Sequence, residues 1–215
     1  MAQYFTLHPD DPQPRLIRQA AELLRQGGVL AVPTDSCYAL ACHLDDKDAV
    51  ANIRRIRQLD DKRLLSLLCR DLSELASYAR VDNAQFRLLK TATPGPYTFI
   101  LEASKEVPRR VSHPSRKTIG LRVPDHPALR ALLAEHGAPL LASTLILPGD
   151  AGEDEGPLSD PDEIRARLEH QIAAVIDAGP CPTEPSTVID LTAMPQGGAP
   201  QLIRAGRGSI KLLGL

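Results

Sequence analysis

The sequence predicts an α/β domain in which helices layer onto a twisted, mixed β-sheet, and three observations lead to it. Segments of helical period alternate with short apolar runs along the chain. Several of those runs follow one another with no helix between them, so some neighbours are antiparallel and the sheet is mixed. No internal repeat or flexible linker interrupts the 215 residues, so residues 1–215 are read as one domain.

Each element has its own signal. Residues 14–26 repeat Leu16, Ile17, Ala20, Leu23 and Leu24 at helical spacing, with Pro14 suited to the first turn and Gly27-Gly28 to the stop. Residues 29–32 and 38–44 read as buried strands, and Asp45 or Asp46 can cap a helix reaching about Ile56. Within that helix Val50, Ile53, Ile56 and Arg57 share one side, while Arg55 points nearly opposite. The helix is therefore expected to end near Ile56 and to turn Arg57 into a concave site. Residues 64–69 form an apolar strand, followed by helices over 71–78 and 83–90. Strands over 97–101 and 118–123, a helix over 127–135 and a strand over 140–147 come next. The acidic stretch 149–160 is a loop, and Asp160-Pro161 opens a helix to about His170. Strands over 173–176, 187–191 and 201–204 complete the pattern.

Composition excludes several classes. No run of eighteen apolar residues is present, so no membrane span is expected. The first ten residues lack the basic and apolar regions of a signal peptide, and a cytoplasmic location is expected. Cys37, Cys42, Cys69 and Cys181 form no metal-ligand rhythm and are read as small buried hydrophobes. The six histidines show no paired spacing, and no phosphate-binding glycine loop, zinc-helix or serine-elbow motif occurs. A net charge of −2 conceals a segregation. Residues 54–130 carry sixteen Lys/Arg against eight Asp/Glu, whereas residues 150–177 carry nine acidic and two basic ones. The middle third is thus expected to face anions, around a basic concave cavity.

Four segments gather hydroxyls, arginines and tight turns near predicted strand ends, where open α/β sheets bind ligands. They are Pro33-Thr-Asp-Ser-Cys-Tyr-Ala-Leu40, Pro94-Gly-Pro-Tyr-Thr98, Leu141-Ala-Ser-Thr-Leu145 and Pro185-Ser-Thr-Val-Ile-Asp190. Taken in order with Arg55-Ile-Arg57, Gly120-Leu-Arg122 and Arg204-Ala-Gly206, they resemble the pattern of the YrdC/YciO family, which includes the threonylcarbamoyl-AMP synthases. The Arg55-Ile-Arg57 form is most similar to the YciO branch.

The resemblance implies a YrdC-like fold and a reaction joining threonine, bicarbonate and ATP into threonylcarbamoyl-AMP with release of pyrophosphate, for threonylcarbamoyladenosine modification of tRNA. By position, Thr34, Arg122, Ser186 and Thr187 would hold threonine. Arg57, Thr98, Ser143 and Arg204 would contact the nucleotide, with Arg55 assisting at the phosphates. No protein nucleophile is implied, and magnesium would arrive with ATP rather than in a protein site.

Four departures bear on catalysis. The family lysine is Arg55, its asparagine is Leu145, and a glutamate and a glycine of the first motif are Asp35 and Ala39. An alternative is therefore a weakly active or inactive paralogue that binds nucleotide, tRNA or double-stranded RNA. Under that alternative, replacing Arg109 and Arg110 should weaken RNA binding and flatten its salt dependence. If Leu145 faces the nucleotide, Leu145→Asn should raise synthesis.

Overall fold

The computed structural model describes residues 1–60, 65–108, 111, 115, 117–149 and 156–213. Arg109 and Arg110, and residues 150–155 of the acidic loop, lie outside them. The strands are β1 (Gln3–Thr6), β2 (Leu30–Val32), β3 (Ala39–His43), β4 (Ser66–Leu68), β5 (Ala79–Arg80), β6 (Tyr97–Ala103), β7 (Thr118–Arg122), β8 (Leu140–Thr144), β9 (Ala174–Asp177), β10 (Thr187–Asp190) and β11 (Gln201–Arg204). The helices are α1 (Pro14–Arg25), α2 (Lys47–Arg57), α3 (Leu72–Tyr78), α4 (Asn83–Ala92), α5 (Pro127–His136) and α6 (Pro161–Leu168).

Local chemistry sets the helix ends. Pro14 opens α1, and Gly27 at φ +85° closes it, its N–H donating to the Leu24 carbonyl. The Asp46 carboxylate accepts from the Ala49 N–H at 2.8 Å and starts α2. Gln58, left-handed at φ 50°, stops α2 directly after Arg57. Asp82 and Gln85 form a reciprocal capping box on α4.

The sheet runs β1-β9-β2-β3-β8-β4-β7-β6-β10-β11, with β5 added against β6. It is mixed: β1/β9, β2/β9, β4/β7 and β6/β10 are parallel, while β2/β3, β3/β8, β4/β8 and β6/β7 are antiparallel. Strand β1 went unanticipated, and β8 stops at Thr144, short of the expected residue 147.

Side-chain alternation gives the sheet two faces. One face carries Leu40, Leu67, Phe99, Ile119, Leu121, Leu141, Val175 and Ile189 into an apolar cluster with Ile53 and Ile56 of α2, Leu75 of α3, Leu89 of α4 and Ile164 of α6. On the other face α1 and α5 pack over Leu30, Val32, Ala39, Ala41, Leu140, Ala142, Ala174 and Ile176. That layer covers β1, β9, β2, β3 and β8 and reaches only Leu68 of β4. Beyond it, the same face of β7, β6 and β10 presents Gly120, Arg122, Thr98, Ile100 and Val188, and none of these belongs to an apolar cluster. The uncovered half is where a cavity forms. No helix of the described residues is long and apolar enough to cross a membrane.

Candidate functional site

A cavity of about 260 Å³ lies on the uncovered half-face and extends past the end of β8 to Arg57. Register fixes its floor. Ser66 pairs with Ala142 on one side and Gly120 on the other, and Gly120 pairs with Ile100, so these four form a row across β8, β4, β7 and β6. Arg122 stands two residues beyond Gly120, opposite Leu68, and Thr98 stands opposite Val188.

Three arginines meet there. Arg57 is buried, donates through Nη1 to the Ile146 carbonyl and reaches Ser143 Oγ at 3.5 Å. The helix-wheel expectation is met: α2 ends at Arg57 and sends its side chain inward. Arg122 is buried, ion-paired with Asp35, and donates to Thr34 Oγ1 at 3.2 Å. Arg204 lies on β11 and holds the Ser186 carbonyl at 2.9 Å. In the same cavity the Thr98 and Ser186 hydroxyls share a hydrogen bond of 2.8 Å.

The structure thus brings Arg57, Thr98, Arg122, Ser143, Ser186 and Arg204 to one cavity. Three other expected residues are placed elsewhere. Arg55 is exposed on the outer side of α2, bonded to Asn52 Oδ1 at 2.8 Å and Gln171 Oε1 at 3.3 Å, because residues two apart on a helix face nearly opposite ways. Thr34 is 1% exposed, and its hydroxyl is occupied by the turn it builds: it donates to the Cys37 carbonyl at 2.7 Å and accepts from the Ser36 and Cys37 N–H groups. Thr187 is 0% exposed, donates to the Gly208 carbonyl at 2.6 Å and accepts from the Gly206 N–H at 3.1 Å. Thr34 orients Arg122, and Thr187 fastens the segment that follows Arg204.

The expectation for Leu145 is also corrected. The strand ends at Thr144, the Leu145 N–H bonds to the Tyr38 carbonyl, and the side chain is fully buried in the apolar cluster. Ile146 lines the cavity instead.

Of three further contributors, Asp35 and Gly120 lie within the segments singled out above but were given no role there, and Ser66 was not singled out. Asp35 is the partner of Arg122, and Ser66 and Gly120 form the floor. A signal existed for the last two, since a lone hydroxyl in residues 64–69 and a glycine inside a strand both mark close approach. Cys37 lines the wall as an apolar group: burial pushes its thiol up to about 11 despite the nearby Arg122, Arg204 and Arg207. Among the described residues, no group of three His, Cys, Asp or Glu could hold a metal ion.

Residues 22–206 match the Sua5/YciO/YrdC family model, described as telomere recombination, and the chain belongs to that family. It is 52% identical over 211 residues to the Escherichia coli K12 uncharacterized protein YciO, covering 98% of each chain. The crystal structure of E. coli YciO superposes with a TM-score of 0.91 at 51% identity, covering 99% of this chain and 100% of that one. A threonylcarbamoyl-AMP synthase of Halorhodospira halophila is 34% identical over 137 residues, 63% of this chain and 71% of that one. The crystal structure of P. abyssi Sua5 complexed with L-threonine matches with a TM-score of 0.83 at 25% identity, covering 94% of this chain and 57% of that one.

Proposed function

We propose that this cavity joins threonine, bicarbonate and ATP into threonylcarbamoyl-AMP, releasing pyrophosphate, and that the product serves tRNA modification in the cytoplasm. What supports the reading above all is the convergence of Arg57, Arg122 and Arg204 with Thr98, Ser143 and Ser186 on one open face. Membership of a family that includes threonylcarbamoyl-AMP synthases supports it further.

The chemistry suits these residues. The threonine amine adds to the bicarbonate carbon with loss of water, giving a carbamate. A carbamate oxygen then attacks the α-phosphorus of ATP, and pyrophosphate leaves. Neither step requires a nucleophile from the protein. What is required is the alignment of two reactants and neutralisation of phosphate charge. Arg57 and Arg204 serve the phosphates, Arg122 the threonine carboxylate, and the Thr98–Ser186 pair lines the same cavity. Magnesium enters with the triphosphate; no Asp or Glu of the described residues lines the cavity, and Asp35 is already held by Arg122.

A second reading keeps nucleotide or RNA binding without efficient turnover. It is favoured by Arg55, which points away from the cavity, and by Leu145, which is buried in the core. One assay separates the two: pyrophosphate release from ATP by the purified protein. Release that depends on both threonine and bicarbonate upholds synthesis; binding of ATP without it upholds the second reading.

A further inference from the structure

Apolar side chains left in contact with solvent gather at one edge of the sheet. Among the described residues five large apolar side chains are exposed, and four of them belong to α4, β11 and the short 3-10 turn Ile210–Leu213. They are Phe86 at 43%, Leu202 at 41%, Ile203 at 55% and Leu212 at 51%. The turn packs beside α4. Strand β11 is last in the sheet order and pairs with β10 alone, so its outer row of N–H and C=O groups has no strand partner among the described residues. Leu202 stands opposite Ile189, so it carries the face that holds Ile189 and Leu89 of α4 outward past that edge.

The charge of these elements has one sign. Residues 193–213 contain Arg204, Arg207 and Lys211 and no Asp or Glu, and α4 contributes Arg87 and Lys90. Arg204 is held at the Ser186 carbonyl, whereas Arg87, Lys90, Arg207 and Lys211 make no ion pair with a described residue. Two neighbouring acids are engaged: Asp82 caps α4, and Asp190 accepts from Thr192. Glu184 is exposed and borders the stretch beside Pro185, whose carbonyl accepts from the Arg207 N–H. An open strand edge with apolar contacts thus sits in a positive field.

We infer that β11, α4 and the turn 210–213 form a docking edge for an extended acidic segment of a partner protein, which adds to the sheet as a strand beside β11. Three features select that occupant. The open N–H and C=O groups of an edge strand are satisfied together by another strand. Leu202 and Ile203 give apolar contact to the side chains of such a strand and offer nothing to a phosphate backbone. The four basic groups without an acid favour Asp or Glu in the segment. They also oppose a two-fold pairing of β11 with its counterpart in a second copy, which would set like charges together. None of this depends on which ligand fills the cavity.

The test is fluorescence anisotropy with three labelled probes: a peptide of about six residues alternating Glu and Val, its Lys/Val counterpart, and an RNA duplex of about sixteen base pairs. The full chain should bind the Glu/Val peptide and not the Lys/Val one, and binding should slow amide exchange at residues 201–204. Ile203→Asp should weaken binding about tenfold, through lost apolar contact and added repulsion. The triple variant Arg87→Gln, Lys90→Gln, Lys211→Gln should also weaken it about tenfold at low salt, each exposed charge giving a factor of about two. All four positions are exposed, so both variants should melt near the wild type. No binding of the Glu/Val peptide, equal binding of the Lys/Val peptide, unchanged binding by Ile203→Asp, or unchanged exchange at residues 201–204 overturns the docking edge. RNA binding without peptide binding, lost in the triple variant, gives the edge to nucleic acid and overturns it too. So does a concentration-dependent dimer in light scattering that Ile203→Asp abolishes, which gives the edge to a second copy.

Discussion

Asp35 and Arg122 form an ion pair in which the side chains are 10% and 8% exposed, and Asp35 also accepts the Asp125 N–H at 3.1 Å. Removing one partner leaves a buried charge uncompensated. Asp35→Ala is expected to lower unfolding free energy by about 3–5 kcal/mol in urea titrations. Replacing the pair together, Asp35→Leu with Arg122→Met, should recover most of that loss and abolish threonine binding. A single substitution with wild-type stability would mean that the pair is solvated.

Leu145→Asn should destabilise the protein by about 2–4 kcal/mol, because it places an amide among apolar side chains without partners. It should not raise threonylcarbamoyl-AMP formation. A gain in synthesis would show that the side chain can leave the core for the cavity.

Acid should weaken the α1–α5 layer. His43 Nδ1 and His136 Nε2 stand 2.9 Å apart, joining the end of β3 to the end of α5, and Arg25 Nη2 donates to the Glu135 carbonyl beside them. Burial, then His43 and Arg25, push His136 down to about 4. The unfolded histidine titrates near pH 6.5, so the unfolded chain binds the proton more readily. Stability is full above pH 6.5 and falls as pH drops toward 4, by about 3 kcal/mol for this residue. His136→Gln should flatten that limb in thermal melts across pH 4–7. His126, also lowered by burial, would leave a residual slope of the same sign.

Thr187→Val should loosen residues 205–209, which the hydroxyl ties through Gly206 and Gly208. The expected cost is about 1–2 kcal/mol of stability, with a several-fold rise in the ATP dissociation constant as Arg204 loses its seat. Thr187→Ser should preserve both. Gly206→Ala should act like the valine variant, since a Cβ there would collide with the Pro185 carbonyl.

Much of this was legible in the chain. Helices α1 and α2 carried both periodicity and end signals, and Arg57 could be assigned inward because it shares a helical side with Ile53 and Ile56. Strand β1 was not legible: its four residues bury only Phe5, and its place depends on parallel pairing with β9, far away in sequence. Hydroxyls marked the site by type, but sequence could not separate those that line it from those that build it. Thr98 and Thr187 look alike until Thr187 is seen bonded on both sides to the chain after β11. Leu145 misled for a related reason, since alternation holds only while the strand continues.

The half-covered face has a mechanical consequence. Strand β8 lies under α5 through Leu140 and borders the cavity through Ser143 and Thr144, so five residues serve the scaffold and the site at once. A ligand resting on the floor bears on the ladder that anchors the helices, with no hinge between them. Occupancy should therefore register as a stiffer molecule: slower amide exchange along β3, β8 and β4, and a higher melting point, rather than a closing movement.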